Sequence, residues 1–178
     1  AMNILYDERV DGALPKVDKA ALLAELQAQL PDLDILHRSE DLKPYECDGL
    51  SAYRTTPLLV VLPERIEQVE TLLKLCHQRG VPVVARGAGT GLSGGALPLE
   101  QGILLVMARF NKILEVNPAG RFARVQPGVR NLAISQAAAP HELYYAPDPS
   151  SQIACSIGGN VAENAGGVHC LKYGLSVH

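Results

Sequence analysis

Residues 58–95 read "LLVVLPERIEQVETLLKLCHQRGVPVVARGAGTGLSGG", and this stretch decides the fold. Leu58–Leu62 is an unbroken apolar run, as a strand buried on both faces should be. Pro63–Arg79 changes period. Ile66, Val69, Leu72, Leu73 and Cys76 recur at helical spacing, Glu64 and Glu67 sit in the opening turns, and Arg79 and Gly80 close the segment. Val81–Ala85 is apolar again. Strand, helix and strand with short joints make a right-handed βαβ crossover, so the two strands are expected to be parallel. Five of the ten residues of "RGAGTGLSGG", Arg86–Gly95, are glycine. Glycine in the interior of an element costs about 0.5–1 kcal/mol relative to alanine, so this density needs a reason. The position supplies one. Ligands of open α/β sheets bind beyond the carboxyl ends of parallel strands. Consecutive glycines there can aim several backbone N–H groups into one concavity, a nest that holds anionic oxygen without a lysine.

The loop fits two familiar phosphate motifs poorly. It lacks the G-K-[ST] of a P-loop. Gly89, Gly91 and Gly94 can be read as G-x-G-x-x-G, but no helix pattern follows, and about twenty residues on, where a ribose-binding acid belongs, stands Arg109. The alternative is a tight connection with no ligand. A second small-residue stretch weighs against that: "YAPDPSSQIACSIGGNVAENAGG", Tyr145–Gly167, with Asn160 and Asn164 between two Gly-Gly pairs. Asparagine donates and accepts at once, and two such segments suit a long ligand held along its length.

Around these segments the signals are plainer. Asp18–Leu30 is spaced as a helix, with Ala21, Leu22, Leu26 and Leu30 on one face and Pro31 as its stop. Residues 32–57 carry few periodic signals and are read as irregular. Ile103–Met107 and Ala123–Gln126 read as strands, and Val129–Ala139 as a second helix. The composition is 47% hydrophobic with a net charge of -3, which describes a globular chain with no electrostatic bias toward nucleic acid. The N-terminal "AMNILYDERVDG" lacks the basic and apolar regions of a secretory signal, and Ala1 before Met2 reads as an addition from expression. No apolar run is long enough for a membrane span. Cys47, Cys76, Cys155 and Cys170 follow no zinc or iron–sulfur spacing. Cys76 belongs with the helix core, and unpaired thiols suit a reducing cytoplasm. His169-Cys170 has no companion pair nearby to complete a metal site.

"RGAGTGLSGG", "PDPSSQIACSIGGNVAENAGG" and "KYGLSVH" together resemble the FAD-binding domain of the vanillyl-alcohol-oxidase superfamily, the p-cresol-methylhydroxylase (PCMH) type. The resemblance covers essentially the whole chain from Asn3. It implies an α+β fold with a small parallel βαβ lobe followed by a mixed, mostly antiparallel one. On that scheme 1–57 is an N-terminal helix with an irregular lead-in, 58–120 the first lobe and 121–178 the start of the second, with the substrate cap domain absent. It also implies a diphosphate on Gly87, Ala88, Gly89, Thr90, Gly91 and Ser93, with Arg86 bracing the loop. Pro147, Asp148, Ser156, Gly158, Gly159, Asn160, Asn164 and Gly166 would follow the ribityl chain and flavin. Some relatives attach FAD through a histidine where Thr90 stands, so FAD here is expected to be noncovalent.

Within the superfamily the chain resembles subunits that oxidise 2-hydroxy acids. Glycolate to glyoxylate is the first reading, and D-lactate or D-2-hydroxyglutarate, or a non-catalytic flavin-binding module, the alternatives. Such subunits hand electrons to an iron–sulfur partner alongside a companion flavin-type subunit, which implies a cytoplasmic protein held peripherally at the inner membrane through its complex. Catalytic groups are expected beyond His178, and neither His141 nor His169 is assigned as a base. Residues 1–178 alone are expected to be inactive and to self-associate through uncovered surface.

Overall fold

The computed structural model describes residues 16–176. The N-terminal stretch read as lacking a signal, and the last two residues of "KYGLSVH", lie outside the described residues. Helix α1 (Lys19–Gln29) begins where the sequence places a cap: the Asp18 carboxylate accepts from the Ala20 and Ala21 N–H groups at 3.0 and 3.1 Å. Strand β1 (Asp34–Leu36) and helix α2 (Ser39–Leu42) then occupy part of the segment read as irregular. The βαβ unit follows as β2 (Leu59–Leu62), α3 (Ile66–Arg79) and β3 (Val83–Arg86), and then β4 (Ile103–Val106).

These strands form one sheet in the order β1-β2-β4-β3. β2 and β3 are parallel, as the crossover requires, and β4 lies between them, parallel to both, with Leu104 opposite Val60 on one side and Val84 on the other. β1 closes one edge antiparallel to β2. The two-residue period of a strand sends alternate side chains to opposite faces. Leu59, Val61, Ile103 and Leu105 pack against Leu22 and Leu26 of α1 and Leu72, Leu75 and Cys76 of α3. Val60, Leu104 and Val106 pack on the other face against Leu42 of α2. With both faces covered, β2 and β4 need apolar residues at every position, which explains their unbroken runs.

The α3 face differs from expectation at three residues. Leu75 is buried and Leu73 exposed, and Ile66 points outward at the helix start. The helix starts at Ile66 and not at Pro63 because the buried Gln68 side chain accepts from the Glu64 and Arg65 N–H groups at 2.8 and 3.1 Å, holding those residues outside the first turn. Gly80 ends the helix at φ +65°, a left-handed C-cap. Arg109 ties the far side together, donating to Glu64 and Asp34, a surface clamp of small energetic weight.

Beyond β4 the chain forms an antiparallel hairpin, β5 (Ile113–Asn117) and β6 (Phe122–Val125), of which only β6 was legible. The hairpin pairs residues on both sides of position 120. Helix α4 (Asn131–Ala138) follows, then α5 (Ile157–Ala162) and α6 (Cys170–Tyr173). Asn131 is fully buried and donates from Nδ2 to the Pro147 carbonyl at 3.0 Å, which fixes the second glycine segment to α4.

Two outcomes follow from this core. Leu72→Ala removes a fully buried side chain between α3 and the sheet and should cost about 2–5 kcal/mol in a urea unfolding curve at unchanged slope. Burial pushes the Cys76 thiol up to about 11, so at pH 8 it is protonated as well as enclosed. A native-state thiol titration should modify Cys47 and Cys170 before Cys76, and peptide mapping reads the order.

Candidate functional site

The two glycine-rich segments meet. Gly87, the first residue past β3, lies so close to Ser156 that a β-carbon on it would overlap the serine hydroxyl. Ser156 is itself fixed: it is buried, it caps α5 through its hydroxyl to the Gly159 N–H at 3.4 Å, and it bridges to Arg130. Between the segments opens a cleft of about 350 Å³.

Arg86 leaves the sheet and turns back under the loop. Its Nη1 donates to the Cys47 carbonyl at 2.6 Å, and its guanidinium lies 5.7 Å from the Tyr45 ring centroid. Gly89 sits over that guanidinium at φ +70°, so a side chain there would be strained and would overlap Arg86. Arg86 thus lies against the back of the loop, and its charge is largely committed there.

The loop's donors are uncommitted. Among the described residues, no backbone N–H of the seven residues Gly87–Ser93 donates to a protein acceptor. Five of those residues, Gly87 to Gly91, line the cleft. Asn160 lines the opposite wall at 3% exposure, and its Nδ2 is buried with no partner. A buried donor without an acceptor costs about 1–3 kcal/mol, so such a group marks where a ligand acceptor belongs. The remaining wall is mostly glycine, alanine and proline, whose short side chains allow a flat ring or a diphosphate close approach. Among the described residues, Glu163 is the one charged residue on the wall apart from Arg86. These residues fit an extended anionic ligand held by amide hydrogen bonds.

Ten of the residues proposed from sequence come together here: Arg86 through Gly91, then Ser156, Gly158, Gly159 and Asn160. Five others lie off the wall. Ser93 is exposed on the outer side of the loop. The Pro147 carbonyl is taken by Asn131. Asp148 accepts from His169 Nδ1 at 2.7 Å, and its N–H donates to the Gly166 carbonyl at 2.8 Å. That histidine contact holds the Asp148 carboxyl below the usual range. Asn164 takes a left-handed turn at φ +52°, and a β-carbon on Gly166 would press on Cys170 and Leu175. These residues shape the turn behind the cleft.

Sequence reasoning missed Met107, Pro127, Ser151, Cys155 and Glu163 on the wall. Met107 was within reach, since it follows β4, the strand beside the glycine loop. Glu163 follows Asn160 by three residues, a helical spacing visible only once α5 is recognised.

The FAD binding domain family matches residues 57–178 of this chain. The chain is 75% identical over 177 residues to the glycolate oxidase subunit GlcD of Escherichia coli (strain K12), covering 99% of this chain and 36% of that protein. It is 36% identical over 152 residues to a D-2-hydroxyglutarate dehydrogenase of Xanthomonas citri pv. viticola, covering 85% of this chain and 32% of that one. The chain therefore spans about a third of the length of these curated relatives. Among solved structures it superposes on an alkyldihydroxyacetonephosphate synthase with a TM-score of 0.75 at 25% identity, over 92% of this chain and 32% of that one.

The Gly87–Ser156 contact is testable by itself. Gly87→Ala should destabilise the fold, because its β-carbon overlaps the hydroxyl. Adding Ser156→Ala removes the obstructing oxygen and leaves an ordinary 3.4 Å contact to the serine β-carbon. Melting of the two single variants and the double should show positive coupling, with the double losing less than the sum of the singles.

Proposed function

Because the chain belongs to the FAD binding domain family, we propose that the cleft between its two glycine-rich segments holds FAD, with the diphosphate on the amides of the glycine loop that faces it and the ribityl and flavin end along Ser156–Asn160. The observation that carries this reading is the run of N–H groups from Gly87 to Gly91, which line the cleft and, among the described residues, have no protein acceptor, in a wall with no free cation among those residues. Backbone donors in a site screened from water bind phosphate oxygen strongly and need no lysine. Asn160 Nδ2 supplies a further donor on the facing wall. Thr90 has no ring nitrogen with which to attach a flavin, so FAD is held without a covalent bond.

The intact protein, on this reading, is a flavoprotein subunit that oxidises a 2-hydroxy acid. The 75% identity to a glycolate oxidase subunit supports glycolate as substrate, and the weaker likeness to a D-2-hydroxyglutarate dehydrogenase keeps that acid as the second reading. Bound FAD supplies the redox step by accepting a hydride from the substrate carbon. The residues of this chain position the cofactor and keep water from its diphosphate. Among the described residues the wall holds no histidine: His141 is exposed on the turn after α4, and His169 is engaged by Asp148. On this reading the acid–base groups that handle the substrate hydroxyl are not among the described wall residues.

The relative's description as a subunit supports a multi-subunit complex, in which electrons pass to an iron–sulfur subunit. Among the described residues no helix is long and apolar enough to cross a membrane, and we place the protein in the cytoplasm, reaching any membrane through that complex. The exposed Val168, Leu171 and Tyr173 support a protein contact on the α6 side.

The full-length protein should copurify with a yellow flavin that acid releases completely into the supernatant, and should reduce an artificial dye when given glycolate. Gly91→Val tests the cleft. A β-carbon on Gly91 meets nothing of the protein closer than Glu163 Oε1 at 3.8 Å, so the fold should survive while the added side chain intrudes on the diphosphate. Flavin occupancy should fall close to zero with an unchanged circular dichroism spectrum. Wild-type occupancy in this variant would remove the loop from the site, and fluorescence left on the polypeptide after denaturation would refute noncovalent binding.

A further inference from the structure

The glycine loop has a back as well as a front. Against the back lies the segment Tyr45–Leu50, which precedes the family match at residue 57. Four contacts hold it there. Arg86 donates to the Cys47 carbonyl at 2.6 Å, and its guanidinium lies against Tyr45. Asp48 is 6% exposed, and its Oδ1 accepts from the Leu50 N–H at 2.8 Å, closing a tight turn around Gly49. Leu50 reaches toward Gly94. Gly49 lies directly on the loop: a β-carbon there would stand 2.7 Å from the Gly91 carbonyl oxygen and 2.8 Å from that of Thr90. Gly49 is not in the left-handed region, so close approach is what calls for glycine at this position.

A trans peptide points its C=O and its N–H in opposite directions, and the described chain has no cis peptide. Holding the Thr90 carbonyl on the Gly49 side turns the Gly91 N–H away from it. Holding the Gly91 carbonyl there does the same for the Leu92 N–H. We propose that the Asp48–Gly49 turn is a positioning element for diphosphate recognition, one that keeps these two carbonyls at the back of the loop and so aims the Gly91 and Leu92 N–H groups at the ligand side. The inference rests on the reading of the cleft as the FAD site. It places two positioning residues, Asp48 and Gly49, outside the matched domain.

The test uses the full-length protein stripped of flavin, with FAD, ADP and riboflavin as probes. ADP carries the diphosphate and riboflavin does not. Gly49→Ala should weaken FAD and ADP about tenfold or more, the equivalent of losing one charge-assisted hydrogen bond, while riboflavin affinity holds in a flavin-free protein that still melts cooperatively, at a lowered midpoint because the β-carbon displaces two backbone carbonyls. Asp48→Ala opens the turn and should show the same selective loss. Asp48→Asn keeps the oxygen acceptor for Leu50 and should recover the affinity, and this pair decides the matter if Gly49→Ala fails to fold. Wild-type ADP affinity in Gly49→Ala, beside loss in Gly91→Val, overturns the inference and leaves the cleft reading standing. Equal loss for ADP and riboflavin overturns it too, since that is the mark of general loosening. Unchanged ADP affinity in Gly91→Val removes the cleft reading, and this inference with it.

Discussion

The cleft takes its shape from one point, where the backbone at Gly87 passes against the Ser156 side chain. Past β3 the chain meets Ser156, and only a residue without a side chain can pass at that distance. Ser156 cannot yield easily, because it is buried, caps α5 and bridges to Arg130. The Gly87–Ser156 contact therefore sets the spacing between the sheet edge and α5. From it follow the width of the cleft, the placing of Asn160 opposite the loop, and the exposure of the loop amides to whatever enters. A β-carbon at Gly87 would act as a wedge at the hinge of this arrangement, so its effects would reach every contact a ligand makes.

The fold was most legible where one physical rule acted alone. β2 and β4 are covered on both faces, so burial dictated every position and their apolar runs were unmistakable. β1 was invisible because three residues are too short to show a period, and its pairing with Val60–Leu62 is set by a partner some 26 positions away. β5 was hidden by its own irregularity. The register shifts between Ile113 and Glu115, which puts adjacent apolar residues where alternation is expected. The hairpin turn carries its positive φ, +52°, on Arg121, one residue past Gly120, while the Asn117-Pro118 pair and Gly120 mark the turn in the sequence.

The site was legible as a place but not in its division of labour. A glycine announces that something comes close, and its neighbours in sequence do not say what. Gly158 is small because Pro127 presses on it, and Gly167 because it lies on Asp148 at φ +116°. Gly91 has no such neighbour, and the space beside it opens onto the cleft. Asp148 and Asn164 read as ligand contacts for the same reason that they make good turn residues: short polar side chains serve both roles. Only the partners of each group, seen in three dimensions, separate the two.

The neutrality of the cleft ties these points together. Anion sites commonly rely on a lysine or arginine, a charge that attracts any phosphate from a distance. Here the one arginine on the wall is spent on Cys47 and Tyr45, and the other charge, Glu163, is negative. On the proposed reading attraction is left to amides, whose dipoles act only at hydrogen-bond range and only when correctly aimed. Such a site gains selectivity for a ligand that fills its length and gives up long-range capture. It also becomes sensitive to the orientation of each peptide in the loop. That sensitivity explains why so much of the surrounding chain is occupied with holding the loop from behind: Arg86 beneath Gly89, Gly49 against the Thr90 and Gly91 carbonyls, and Ser156 against Gly87. Where charge is withheld, geometry must be supplied, and the segment before residue 57 supplies part of it.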